Sequence, residues 1–211
     1  MADLRVKGPQ FGGTGTFNPS TSGFSGADRV MKAHGDYLDA VLSGRVFVAC
    51  NQAIGTLQTG LTTAQTGLGI FNPQKSGKRL NILFASCVFT VAQPTTGSVY
   101  GLCAATNTIQ AVPTSQTAAV VRNALLGANA VPAGSAITAG TLAVAPVAVS
   151  VMGFAATGAI TTTSVTQPFF REFKGSLVIE EGVYLGFFSS IAPAATSFWG
   201  ELIWEELPIF N

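Results

Sequence analysis

The groups that could do acid–base, nucleophilic or metal chemistry in this chain are few: ten carboxylates, one histidine and three cysteines among 211 residues. A general acid–base pair needs two carboxyls converging on one pocket. Glu201 and Glu205 face the same way on one predicted strand, but a strand rise separates them by ~13 Å, too far for direct cooperation. Glu180 and Glu181 sit in a predicted turn before Gly182. A serine or cysteine nucleophile needs a histidine beside it. The only one, His34, lies on an early predicted helix, and no Gly-x-Ser-x-Gly occurs. His34 with Asp36 and Asp39 is too small a donor set to indicate a metal. Gly12-Gly13-Thr14-Gly15 has neither the Lys-Ser/Thr nor the preceding strand that a phosphate loop requires. Ser76-Gly77-Lys78 lacks the earlier glycine and leads into a strand rather than a helix. Trp199 with Glu201 is the one aromatic–carboxylate pair that could read a glycan, though a structural strand position explains both residues. These observations predict a non-enzymatic protein with no cofactor and no resident metal.

The elements that would carry such residues are mostly strands. Phe198-Trp199-Gly200-Glu201-Leu202-Ile203-Trp204-Glu205 alternates, with Phe198, Gly200, Leu202 and Trp204 on one face. The preceding run, Val183 to Ser190, is aromatic and β-branched. A short proline-containing loop between the two predicts an antiparallel hairpin. Residues 45–50 and 80–92 read as strands, the second with Leu83, Ala85, Cys87 and Phe89 on one face and Ile82, Phe84, Ser86 and Val88 on the other. Residues 98–106 follow as a strand. Residues 107–140 read as strands and long loops, 141–152 as a buried strand with Pro146 marking an edge or bulge, and 153–167 as a Thr-rich loop. Ahead of the strands, Ser25 and Asp28 suggest a helix start, and Val30, His34, Tyr37, Leu38 and Val41 recur at helical spacing up to Ser43-Gly44. The predicted organisation is an extended arm over residues 1–26, a short amphipathic helix over 27–44, and a mainly β domain over 45–211. That domain is expected to be an antiparallel jelly-roll-like β-sandwich.

Composition bounds the partners. Hydrophobic residues are 47% of the chain, enough for a real core, while charged residues are 10%, far below the ~25% usual in soluble domains. Such a surface favours association. A net charge of +1 points to neither nucleic acid nor a membrane surface. No window offers ~20 uninterrupted apolar residues, and Met1 to Arg5 is not followed by the apolar core of a signal peptide. Three widely spaced cysteines, Cys50, Cys87 and Cys103, read as free buried thiols made in a reducing cell. The arm, rich in Gly, Ser, Thr and Asn, cannot bury itself. Its phenylalanines Phe11, Phe17 and Phe24 are expected to anchor in partner pockets. The basic cluster Lys75, Lys78 and Arg79 is a solvated turn or a contact to an acidic partner surface. The second apolar face of the strand over 80–92 needs a cover, so Phe84 and Val88 are expected beneath another chain or the helix.

The Gly-rich arm, the short helix, the turn Asn72-Pro73…Ser76-Gly77-Lys78 before a long strand, and the closing Glu181-Gly182-Val183-Tyr184-Leu185…Trp204-Glu205-Glu206-Leu207-Pro208 resemble structural proteins of tailed bacteriophage virions. The nearest type is the minor capsid, decoration or cement protein with a jelly-roll domain. The resemblance implies a protein made in the host cytoplasm and located on the capsid surface of the virion. It further implies a homotrimer clamping major capsid protein subunits. A receptor- or glycan-binding tail module and a single-jelly-roll coat protein are the alternatives.

Overall fold

The computed structural model describes residues 37–89, 97–105, 113–155, 168–191 and 198–209. The chain divides into two compact units, Met1–Leu38 and Asp39–Asn211, and all the described residues except Tyr37 and Leu38 belong to the second. Phe11, Phe17, Phe24, His34 and the predicted helix over residues 27–36 lie outside the described residues. Of the predicted helix over 27–44, the described residues show α1 (Leu38–Leu42). It closes where the Ser43 amide donates to the Asp39 carbonyl, and Gly44 then takes φ 71°, a left-handed conformation that glycine adopts without steric cost.

The strands of the second unit are β1 (Val46–Cys50), β2 (Ala64–Phe71), β3 (Lys78–Phe89), β4 (Ser98–Ala105), β5 (Thr114–Ala118), β6 (Val121–Asn123), β7 (Ser135–Thr141), β8 (Val147–Ala155), β9 (Phe169–Glu172), β10 (Val178–Ile179), β11 (Tyr184–Ser189) and β12 (Phe198–Pro208). They form two antiparallel sheets. One runs β10-β3-β12-β1-β6, with β9 also on β3; the other runs β5-β7-β2-β11-β4-β8. The pairing is nested. β1 pairs with β12, β2 with β11, β3 with β9 and β10, and β4 with β8. First meets last, second meets next-to-last, and so inward, which is the connectivity of a jelly-roll-like sandwich. The segment β5–β7 is inserted between the fourth and fifth of these strands. It lengthens both sheets at one side, β6 on β1 and β7 on β2.

The core lies between the sheets. β12 buries Phe198, Gly200, Leu202 and Trp204 and turns Trp199, Glu201, Ile203 and Glu205 outward, as the alternation predicts. Trp204, fully buried, stacks on Phe47 at 6.1 Å, and Phe198 meets Phe187 of the facing sheet edge-on at 5.4 Å. Truncating a buried aromatic of this size to alanine costs about 3–5 kcal/mol. A second, smaller cluster holds Phe71, Ala105, Ile137, Leu142 and Tyr184. Their chain neighbours Ile70, Ala104, Ala136 and Leu185 are in the main core, so this cluster sits on the opposite, outer face of the β2–β11 sheet. There the Tyr184 ring lies flat over Gly69 and Gly186, where a Cβ at either position would overlap it.

Several sequence expectations are corrected. β11 and β12 are not a hairpin: each belongs to a different sheet. The two runs are adjacent in sequence, but β12 is paired on both sides by β1 and β3, which leaves β11 no place beside it. Lys78 and Arg79 open strand β3 rather than sitting in the turn. Ile82 faces inward with Leu83, because the β3–β12 register slips between Ile203 and Trp204 and a bulge at Leu83 resets the alternation. The expected buried strand over 141–152 is two elements. β7 ends at Thr141, Pro146 is buried in the connection, and Gly153–Ala155 continue β8 rather than forming a loop. β8 lies at the sheet edge with Val147, Val149, Val151 and Phe154 at 55%, 41%, 58% and 61% exposure, so these four are not core, while the half-buried Met152 packs against it.

Candidate functional site

The basic cluster is tied to the acidic turn that precedes β11. Arg79 donates to Glu180 at 2.7 Å, both side chains being about half exposed. The Gly77 amide donates to Glu181 at 2.7 Å. Asn72, fully buried, organises the corner: its amide group donates to the Lys78 carbonyl at 2.7 Å and its oxygen accepts from the Ser76 hydroxyl at 2.7 Å. Lys75 takes φ 60° at the tip of the turn and is exposed. Arg79 therefore has its acid within the chain, and the corner serves first as a brace between the β2–β3 and β10–β11 connections.

The other carboxylates divide by face. Glu206 points inward and is 5% exposed. Its carboxylate accepts from the Ala133 amide at 2.8 and 3.0 Å, from the Gly134 amide at 2.9 Å and, at 3.4 Å, from the Trp204 indole. It fastens the loop before β7 to the end of β12. One residue earlier, Glu205 points outward and pairs with Arg45 at 3.0 Å. Glu172 pairs with Lys174 at 3.3 Å. Among the described residues no group of three or more His, Cys, Asp or Glu side chains is placed to hold a metal ion.

Glu201 differs from the rest. It lies on the outer face of the β1–β12–β3 sheet, opposite Cys50 on one side and Ser86 on the other. Its one hydrogen-bond partner among the described residues is the Ser86 hydroxyl, which donates at 3.1 Å. With Trp199, Val88, Pro168 and Cys50 it lines a shallow groove of about 470 Å³ whose walls are mostly apolar. Phe84 lies on the same face, half-buried, and stacks on Phe170 of β9 at 6.3 Å. Val88 is half-buried beside Trp199 in the groove. The sequence pairs Trp199 with Glu201 by strand spacing; it does not show Cys50, Ser86 and Pro168, which reach the groove only through the strand order β1-β12-β3. A second hollow, about 420 Å³, lies between the loop Asn51–Thr56 and Ala118–Val120 and is lined by uncharged residues.

The thiols are poor nucleophiles. Burial pushes Cys87 and Cys103 each up to about 12. Cys50, only partly buried, is also raised, by desolvation and then by the negative charge of Glu201. All three are free. No helix among the described residues is long and apolar enough to cross a membrane. No family model, curated protein or solved structure matches the chain.

Proposed function

We propose that this chain is a non-enzymatic structural protein of a bacteriophage virion that decorates or cements the capsid. It binds major capsid protein subunits through its N-terminal arm and its β domain, and it acts as a homotrimer on the capsid surface. The observation that carries the reading is the exposed apolar edge strand β8. Val147, Val149, Val151 and Phe154 are each 41–61% exposed along this edge, in a chain that is only 10% charged. Exposed apolar side chains gathered on one edge strand mark protein contacts. The jelly-roll-like connectivity adds support from analogy, since that architecture is common in capsid proteins. Phe11, Phe17 and Phe24 are the proposed arm anchors. The experiment is a deletion of residues 1–25. The shortened chain should fold and sediment as the full chain does, yet fail to load onto capsids. Normal occupancy without the arm removes the arm from the mechanism. Closed shells formed by this chain alone would assign it instead as the coat protein.

A further inference from the structure

We propose that the groove at Trp199 and Glu201 is a docking site for a basic side chain, arginine above all, contributed by a partner chain. The inference holds whatever particle the chain joins. Its basis is a carboxylate with no cation beside it among the described residues. Every other described glutamate meets either a cation or backbone amides: Glu172 has Lys174, Glu180 has Arg79, Glu205 has Arg45, Glu181 has the Gly77 amide, and Glu206 has Ala133 and Gly134. Glu201 has only the neutral Ser86 hydroxyl among the described residues, and it stands in a mostly apolar groove. A carboxylate drawn partly out of water without a cation is costly, and a cation entering the groove removes that cost. The second element is Trp199. It lies two residues from Glu201 on the same outward face, about 7 Å along the strand, and like Glu201 it is half-buried. An indole face attracts a cation within about 6 Å of its centre. A planar guanidinium can stack on the ring and at the same time present its fork to the carboxylate, which an ammonium cannot do. Val88 and Pro168 give the methylene stem an apolar bed. Nothing here recruits a covalent step, since the neighbouring Cys50 thiol is held protonated beside the same carboxylate.

The test uses the full-length chain labelled with nitrogen-15 and the blocked tripeptide acetyl-Ala-Arg-Ala-amide. Two indole signals report: Trp199 at the groove and Trp204, fully buried, as the internal reference. Trp199→Phe assigns them. The arginine peptide should shift the Trp199 signal saturably in the millimolar range, the strength expected of one cation–π contact and one part-buried ion pair. The isosteric citrulline peptide, which keeps the shape and loses the charge, should bind about tenfold more weakly. Glu201→Gln should abolish the difference between the two peptides while leaving the Trp204 signal in place. Equal responses to arginine and citrulline overturn the proposal, as does no response to either. A saturable response to a neutral methyl glycoside without one to the arginine peptide also overturns it, and would make the groove a glycan site.

Discussion

Two adjacent glutamates on β12 should differ sharply in what their loss costs. Glu206→Ala removes the acceptor for two backbone amides. The Gly134 amide is buried, and losing a hydrogen bond to a charged group there costs about 1.5–3 kcal/mol. The Ala133 amide is partly exposed, so water replaces some of its bond and the loss is about 0.5–1.5 kcal/mol. The long contact to the Trp204 indole adds little. Against this, alanine removes a buried charge and its desolvation penalty, which pulls the sum toward its lower end. The net expectation is about 2–3 kcal/mol. Glu205→Ala breaks an outward pair with an Arg45 whose side chain is 42% exposed, and such pairs contribute about 0.2–1 kcal/mol. Urea unfolding followed by tryptophan fluorescence measures both. With a slope of roughly 2 kcal/mol per molar, Glu206→Ala should lower the midpoint by about 1–1.5 M and Glu205→Ala by less than about 0.5 M. Glu206→Gln, which keeps one carbonyl acceptor but turns an amide donor toward donors, should fall between. Equal midpoint shifts for the two alanine variants would refute the assignment of Glu206 as the clamp on the loop before β7.

Three further outcomes follow from the packing. Gly186→Ala should destabilise by well over the ~0.5 kcal/mol typical of a surface change, because its Cβ meets the Tyr184 ring, and pairing it with Tyr184→Ala should recover part of the loss in thermal melts. The buried thiols make stability fall in alkali. Cys87 and Cys103 have folded values of about 12 against 9.0, so above pH 9 the unfolded chain releases protons that the folded chain holds, and stability is lost as pH rises from 9 toward 12 at about 1.4 kcal/mol per pH unit for each thiol. Cys87→Ala with Cys103→Ala should flatten that slope in pH-dependent urea curves; an unchanged slope contradicts the cause. Val149→Lys with Phe154→Glu places charge on an exposed rim, so sedimentation should show loss of the oligomer with the urea midpoint within about 0.5 kcal/mol of the parent.

Much of the sandwich was legible because β12 carries it. Its strict alternation from Phe198 to Glu206 put Trp204 in the core and Glu201 and Glu205 outside, and the acidic-Gly turn at Glu180–Gly182 was visible from its residues alone. The hairpin reading of β11 and β12 failed because local sequence reports strand and turn, not sheet membership. What separates them is the long-range pairing of β12 with β1 and β3. The bulge at Leu83 was hidden for a related reason: Ile82, Leu83 and Phe84 are all apolar, so the parity change leaves no mark in the pattern. β8 misled in the same way, since Val147, Val149 and Val151 look the same in sequence whether they are buried or exposed. At the candidate site, Trp199 and Glu201 were paired correctly by spacing, while Cys50 and Ser86, 151 and 115 residues from Glu201 in the chain, could be placed only by register. Glu206 gave no sign of its buried clamp, because the amides it accepts from, Ala133 and Gly134, have no side-chain signature.

The most direct measurement is the protein content of capsids. If the proposed role holds, particles of the bacteriophage that encodes this chain, purified through a density gradient, should carry it at a fixed ratio to the major capsid protein, in the capsid fraction rather than with detached tails. Cross-linking should join Lys7 in the arm to capsid subunits. A chain absent from the particles, or found only with tails at a few copies each, would contradict a capsid-decorating role.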